Sequence, residues 1–216
     1  MPNVFNQVNN EQSTKLINDL FLNIIIPAKL DSRRLKNKNL SIINDKTLLE
    51  YSIDYALSSK YEKIIIVSTE SIEIKKVCKK YSNRDVKIYE RPKKFLGDAE
   101  VIDVSLDIVQ YQLEKYNDFD VLEKMSHMVI LQPDHPDRTK DLDEFLDYCI
   151  VKDFDDFFTV DDSGTRNGSV RVIKAEYLKN GILSDRIGSM NDNCTNIHTK
   201  EDLELARMKI INNIHR

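Results

Sequence analysis

The chain has 216 residues, of which 41% are hydrophobic and 31% charged, and this balance favours a folded α/β protein over a disordered one. Its formal net charge of -4 argues against general nucleic-acid binding, and no apolar run is long enough to span a membrane. The first residues do not read as a signal peptide, and three widely spaced cysteines indicate neither disulfides nor a zinc site, so we predict a cytoplasmic protein.

The N-terminal residues differ from the rest of the chain. Residues 1–22 are predicted to form an extension that is frayed over its first ten residues and helical over 11–22. The rest of the chain contains no internal repeat, low-complexity segment or linker. Residues 23–216 are therefore predicted to form a single domain.

From residue 23 onward, short apolar runs alternate with helical patterns. The predicted strands cover 23–28, 63–68, 86–89, 127–131, 156–160 and 169–173. The predicted helices cover 47–59, 72–81, 99–116, 141–151 and 200–211. Nearly continuous Ile and Val runs are typical of parallel strands covered by helices on both faces. The pattern therefore predicts an α/β fold with a doubly wound, mostly parallel sheet.

In such sheets, ligands bind beyond the carboxyl ends of the strands, which here points to the loops 27–40, 68–71 and 132–139. The loop 27–40 is rich in polar and cationic side chains: Lys29, Ser32, Arg34, Lys36, Lys38 and Asn39. Such cations can neutralise a triphosphate, and Arg can bind phosphate oxygens through two parallel hydrogen bonds. A solvated, charged turn explains this loop equally well when it is considered alone. The P-loop and dinucleotide fingerprints are both absent.

The loop 132–139 places Gln132 and Asp134 at the end of a buried strand, where two prolines restrict the backbone. A carboxylate at this position can ligate Mg²⁺, and a turn capped by Asp134 is the alternative. Arg91 ends another predicted strand and could reach a phosphate. His198 precedes a helix capping pattern and could be a metal ligand, a phosphate partner or a surface side chain.

Taken together, these loops resemble the acylneuraminate (CMP-sialic acid) cytidylyltransferases, which are related to the KDO cytidylyltransferases. The resemblance begins with I-P-A-K-x-x-S-R-R-x-x-x-K-N-L, starting at Ile26. It continues in order over about residues 23–210 through Val67-Ser68-Thr69-Glu70, Arg91-Pro92, Leu131-Gln132-Pro133, Asn167-Gly168 and Thr199-Lys200-Glu201-Asp202-Leu203. The step Asp134-His135-Pro136 is similar instead to the Asp-x-Pro of the KDO enzymes.

The resemblance implies a Rossmann-like nucleotidyltransferase (GT-A-like) fold and a reaction. CMP would pass from CTP to an acidic sugar, pyrophosphate would leave, and the product would serve surface glycan synthesis. Arg34, Lys38 and Asp134 would act in catalysis, and Gln132 and Asn167 would bind the sugar acid. The residues expected to bind the nucleotide are Ala28, Lys29, Ser32, Arg34, Lys38, Asn39 and Arg91. The residues expected to hold Mg²⁺ are Asp134, Asn196 and His198.

Two departures from the family pattern concern the metal and the acceptor. Asn196 and His198 stand where the family has two metal-binding carboxylates, so they supply no negative charge to an ion. Residues 161–166 are short where the sialate enzymes carry an insertion that builds the sugar pocket and a dimer contact, so a homodimer remains an open expectation. Two other functions therefore stay open. One is transfer to a phosphate or phosphonate acceptor, suggested by Lys36 and Arg138, and the other is a nucleotide-binding homologue with impaired catalysis.

Overall fold

The computed structural model describes residues 20–32, 34–96, 99–116, 125–180 and 185–214. The strands in these ranges are β1 Phe21–Pro27, β2 Ile42–Ile43, β3 Lys46–Thr47, β4 Glu62–Thr69, β5 Val86–Glu90, β6 Met125–Leu131, β7 Asp156–Val160, β8 Arg166–Lys174 and β9 Ile187–Asn191. The helices are α1 Leu48–Ser58, α2 Ile72–Lys79, α3 Val101–Tyr116, α4 Leu142–Val151, α5 Ala175–Asn180 and α6 Lys200–Ile214.

The described strands form a seven-stranded sheet in the order β5-β4-β1-β6-β8-β7-β9, together with the small β2–β3 hairpin. Strand β8 runs antiparallel to both of its neighbours, and the other pairs in the large sheet are parallel. The predicted mostly parallel α/β sheet is therefore confirmed. The carboxyl ends of β1, β4 and β6 lie together at one edge, because these three strands are adjacent and parallel.

The central strand β1 shows why both sheet faces need helices. Ile24 and Ile26 pack into one core with Leu49 of α1 and Phe145 of α4. Ile25 faces the opposite side and packs into a second core with Val104 and Ile108 of α3. Because every residue from 22 to 26 is buried, the strand reads as a continuous apolar run and not as an alternating one.

The predicted N-terminal helix is wrong at its end. Phe21 and Leu22 belong to β1, where they pair in register with Glu62 and Lys63 of β4. Their branched and aromatic side chains extend the Ile run of the strand instead of ending a helix. Residues 1–19 of the predicted extension lie outside the described residues.

Three elements are absent from the sequence prediction: the β2–β3 hairpin, α5 and β9. The hairpin turns through Asn44 and Asp45, both with positive φ (45° and 66°), as a two-residue type I′ turn requires. Strand β9 is a short edge strand with a weak apolar pattern, and it pairs in parallel with β7. Gly188 in β9 lies so close to Phe154 that an added Cβ would be 2.3 Å from the ring.

The predicted free thiols are confirmed, since Cys78, Cys149 and Cys194 are unbridged and buried. The capping pattern before α6 also forms: the backbone amide of Asp202 donates to Thr199 Oγ1 at 3.2 Å, and the Asp202 carboxylate accepts from the amide of Thr199 at 2.8 Å. In the described part of the chain, no helix combines the length and the apolar character needed to cross a membrane.

Candidate active site

A cleft of about 580 Å³ opens at the carboxyl edge of the sheet. It brings together most of the predicted site residues, namely Lys29, Ser32, Arg34, Lys38, Asn39, Arg91, Gln132, Asp134 and His198. Three predicted site residues are not among those that line it: Ala28, Asn167 and Asn196. These three lie beside the cleft and shape its walls through internal contacts.

The first wall of the cleft is the loop 27–40. Its exit from β1 is fixed by the amide of the buried residue Ala28, which donates to the carbonyl of Ser68 in β4 at 2.9 Å. Farther along the loop, the side-chain amide of Asn39 donates to the carbonyl of Lys29 at 2.8 Å. Ala28 and Asn39 therefore fix the shape of the loop through these contacts.

Lys38 connects this wall to the other side of the cleft. Its ammonium group lies 2.5 Å from Asp134 Oδ2 and 2.9 Å from the carbonyl oxygen of Ile197, and it donates a hydrogen bond to each. The side chains of Lys38 and Asp134 are only 13% and 10% exposed. An ion pair with this little solvent is screened weakly, so each charge strongly affects its partner.

The protonation of Asp134 follows from its neighbours. Burial alone would raise the pKa of this carboxyl, but contacts with His135 and Lys38 outweigh burial and hold the pKa below its ordinary value. The carboxylate is therefore charged at neutral pH and can attract a cation. Burial and the nearby charges of Arg34 and Lys38 together lower the pKa of His198, and they therefore favour its neutral imidazole.

Arg91 is nearly buried at the back of the cleft. Its Nε donates to Ser68 Oγ and its Nη2 to the Ser68 carbonyl oxygen, both at 3.2 Å. Burial lowers the pKa of Arg91, and the negative charge of Glu70 opposes that effect. Glu70 also accepts a hydrogen bond from the amide of Leu30 at 2.9 Å, so it links the loop 27–40 to the loop 68–71.

The sequence gives Ser68 and Glu70 no individual role, although Ser68 lies at the end of β4 and Glu70 directly follows that strand. Their position at a strand's carboxyl end was the available signal. An apolar patch also enters the cleft from the start of α3, where Ala99, Val101 and Val104 line it. From the sequence, Asp98 is expected to cap this helix, but Asp98 lies outside the described residues.

The second wall presents the amide of Gln132 above Gly168. Gly168 has φ 82°, and an added Cβ would lie 2.5 Å from Gln132 Nε2. The glycine is therefore needed both for its left-handed backbone and for the space that Gln132 occupies. The neighbouring turn residue Gly164 has a similar φ of 81°, but nothing lies within 4 Å of its Cβ position.

Asn167, which is predicted to bind the sugar acid, makes internal hydrogen bonds through its side chain. Its Oδ1 accepts from Thr159 Oγ1 at 2.6 Å and from the amide of Ser169 at 3.0 Å. Its Nδ2 donates to the carbonyl of Asp192 at 2.7 Å. Asn167 thus holds β7, β8 and the segment after β9 together, and its own carbonyl accepts from Asn196 Nδ2 at 3.4 Å.

Arg138 is likewise part of the framework. Its guanidinium donates to the carbonyls of His135, Gln132 and Ser169 at 2.6, 2.8 and 3.2 Å, and it stacks on the Tyr55 ring at 4.7 Å. These contacts fold the loop 132–139 back on itself. Arg138 is therefore not directed at a ligand, which removes one reason to expect a phosphate acceptor.

The predicted magnesium ligands fit a cation only in part. Three of their atoms are buried without a regular hydrogen-bond partner: Asp134 Oδ1, Asn196 Oδ1 and His198 Nδ1. Asp134 and His198 line the cleft, whereas the Asn196 amide is bound to Asn167. Within the described ranges, no three His, Cys, Asp or Glu side chains form a metal cluster. The residues therefore fit an ion held by Asp134 that completes its shell with nucleotide phosphates, as Mg²⁺ commonly does.

Known proteins are similar to this chain in both sequence and fold. The chain is 31% identical over 114 residues to an N-acylneuraminate cytidylyltransferase of Escherichia coli. The matched segment covers 53% of this chain and 24% of that protein. It is 37% identical over 65 residues to a 3-deoxy-manno-octulosonate cytidylyltransferase of Francisella tularensis. That matched segment covers 30% of this chain and 26% of the relative. The matched segments thus span about a quarter of each relative.

The fold agrees with a solved structure of CMP:2-keto-3-deoxy-manno-octonic acid synthetase complexed with CTP. The TM-score is 0.65 at 14% identity, over 89% of this chain and 99% of that chain. This likeness confirms the nucleotidyltransferase fold. A family model described as Cytidylyltransferase matches residues 23–138, more than half of the chain. The chain therefore belongs to the cytidylyltransferase family.

Proposed function

We propose that this protein transfers CMP from CTP to an acidic sugar of the nonulosonic or KDO type, with release of pyrophosphate, for surface glycan synthesis. The observation that carries the proposal is the convergence of four cations on one cleft: Lys29, Arg34, Lys38 and Arg91. A chain of net charge -4 that gathers cations at the carboxyl edge of its sheet has a site suited to a polyphosphate.

The chemistry would need mainly positioning and charge neutralisation. A hydroxyl oxygen of the acceptor forms a bond to the α-phosphorus of CTP, the bond from that phosphorus to the bridging oxygen breaks, and pyrophosphate leaves with the charge that develops. The hydroxyl proton passes to solvent or to a base. Arg34 and Lys38 would bind phosphate oxygens, and Ser32 and Lys29 would support the same nucleotide.

The two ends of CTP would lie in different surroundings. The apolar patch of Ala99, Val101 and Val104 gives a base a surface to pack on, and Arg91 lies beside it. The acceptor would lie against Gln132 on the opposite wall. We propose that Asp134, with His198 nearby, holds Mg²⁺ together with the phosphates, and such an ion would supply further neutralisation of phosphate charge when bound.

The test is release of pyrophosphate from CTP in the presence of Mg²⁺ and a panel of sugar acids. The panel is N-acylneuraminate, pseudaminic acid, diacetyllegionaminic acid and 3-deoxy-manno-octulosonate, which appear in the names of proteins similar to this chain. We expect release with at least one acid. UTP and ATP are matched controls, and we expect them to give at least about tenfold less, because contacts to the base discriminate nucleotides. No release with any acid, together with no binding of CTP in calorimetry, would contradict the proposal.

The same experiment separates the other two functions. Release with phosphate or phosphonate acceptors alone would favour a different cytidylyltransferase. Of the reasons for that alternative, the short segment 161–166 and the cations Lys36 and Arg138, the last is bound within the framework. Tight CTP binding without turnover would indicate an impaired homologue. The similarity to sugar-acid cytidylyltransferases favours neither. Cytoplasmic location and a homodimer stay predictions.

A further inference from the structure

His135 lies next to Asp134 and is completely buried, with 0% of its surface exposed. Neither of its ring nitrogens has a regular hydrogen-bond partner. A buried polar group without a partner is destabilising, so a protein keeps such a group only where another requirement supports it. An apolar side chain would fill the same space without that cost.

The missing partner lies within reach. His135 Nδ1 is 3.0 Å from Asp134 Oδ1, and that oxygen is also buried without a regular hydrogen bond. A neutral imidazole carries one N–H hydrogen. When the hydrogen is on Nδ1, a small rotation of the ring satisfies both atoms. When it is on Nε2, both atoms stay unpaired and a nitrogen lone pair faces the carboxylate.

We propose that His135 is a positioning residue, whose Nδ1–H donates to Asp134 Oδ1 and thereby fixes the carboxylate with Oδ2 directed at Lys38 and the cleft. The loop supports this arrangement, because Arg138 binds the carbonyls on both sides of Asp134, at Gln132 and at His135. The backbone is therefore clamped, and the imidazole restricts the remaining freedom of the Asp134 side chain. This inference rests on the proposed function, since Asp134 matters only if the cleft binds CTP.

Two substitutions at His135 distinguish the two ring nitrogens. In His135→Asn the side-chain amide nitrogen lies close to the position of Nδ1, and in His135→Gln it lies close to that of Nε2. His135→Leu removes both. We expect Gln and Leu to lower kcat for pyrophosphate release by about 10–100-fold, as loss of a supporting contact to a ligand residue commonly does. We expect Asn to remain within about threefold of the unchanged protein.

The thermal unfolding midpoint of each variant shows whether a loss of activity comes from a misplaced Asp134 side chain or from a less stable fold. If His135 only fills space, activity will follow stability across the three variants, and Asn will be no better than Gln. If it positions Asp134, Asn and Gln will differ in kcat at similar unfolding midpoints, with KM for CTP changing less than kcat. Equal activity of all three variants would overturn the inference.

Nitrogen NMR of the histidine rings in the free protein gives a second test that needs no CTP. We expect Nδ1 of His135 to be protonated, and the Asp134→Asn variant to shift that signal. A bare Nδ1 would overturn the inference. If the unchanged protein neither binds CTP nor releases pyrophosphate, the proposed function fails, but the NMR result still decides whether His135 donates to Asp134.

Discussion

The two walls of the cleft use their polar side chains in opposite ways. On the wall formed by residues 27–40, Arg34 is exposed and Lys38 reaches across to Asp134. On the wall formed by the loop 132–139 and its neighbours, internal hydrogen bonds occupy Asn167 and Arg138. One wall offers charge to a ligand, whereas internal hydrogen bonds hold the other wall rigid.

This difference shows how the two substrates would be recognised. A triphosphate carries several negative charges, and a loop of long cationic side chains can bind it without close shape complementarity between the loop and the ligand. A sugar acid must be distinguished by the position of its hydroxyl groups, and this requires side chains held still by a framework. The structure of the second wall matches that requirement, since Gln132 lies over Gly168 with no room for an added Cβ.

The largest effect is expected where the walls meet, at Lys38. Lys38→Met should lower kcat about 100–1,000-fold, as loss of one charge-stabilising donor commonly does. It should also destabilise the fold by about 3 kcal/mol, because Asp134 would keep a nearly buried charge without its partner. Pyrophosphate release and chemical denaturation measure the two effects.

The double variant Lys38→Met with Asp134→Asn is the control for that prediction. Removing both charges should restore most of the lost stability, because no uncompensated carboxylate remains. Activity should stay low. If the double variant regained activity with stability, Lys38 would act only by neutralising Asp134, and the distinction between the walls would fail at this point.

Two arginines provide the next test, one from each wall. Arg34→Ala should weaken CTP binding by about tenfold through loss of a charge-assisted contact and leave the unfolding midpoint unchanged, since Arg34 is exposed. Arg138→Ala should destabilise the protein by about 3 kcal/mol, because three carbonyls of the framework lose their donor. Calorimetry with CTP and thermal unfolding distinguish them. The reverse pattern would show that the walls have been assigned the wrong way round.

The sequence was sufficient to predict most of the sheet and the position of the loop 27–40 at its carboxyl edge, because both depend on local patterns. The run Ile24-Ile25-Ile26 predicts a buried strand wherever its neighbours lie, and cations in a loop after that strand must reach solvent or a ligand. The elements that the sequence does not predict depend on tertiary partners. Strand β9 has a weak pattern of its own, and pairing with β7 determines its conformation.

The second wall was less predictable for the same reason. The family resemblance implies that Asn167 binds the sugar acid, and Arg138 is an additional cation that suggests a phosphate acceptor. In the structure, Asn167 binds the carbonyl of Asp192, which is 25 residues away in the chain. Arg138 binds the carbonyl of Ser169, which is 31 residues away. His135 was passed over because a single histidine gives no sign of its burial or of its contact with Asp134.

The smallest effect comes from a matched pair of glycines, Gly168 next to Gln132 on the second wall and Gly164 in the turn before β8. Gly168→Ala and Gly164→Ala both place a side chain at a positive φ, of 82° and 81°, and each should cost about 1 kcal/mol of stability from backbone strain. Only at Gly168 would the new Cβ meet a neighbour, 2.5 Å from Gln132 Nε2, whereas nothing lies within 4 Å of the position at Gly164. Gly168→Ala should therefore raise KM for the acceptor by several-fold with little change in KM for CTP, because Gln132 must move away from the acceptor side. Gly164→Ala should leave both KM values unchanged. Equal kinetic effects of the two substitutions would mean that backbone strain alone is responsible, and that the position of Gln132 does not determine acceptor binding.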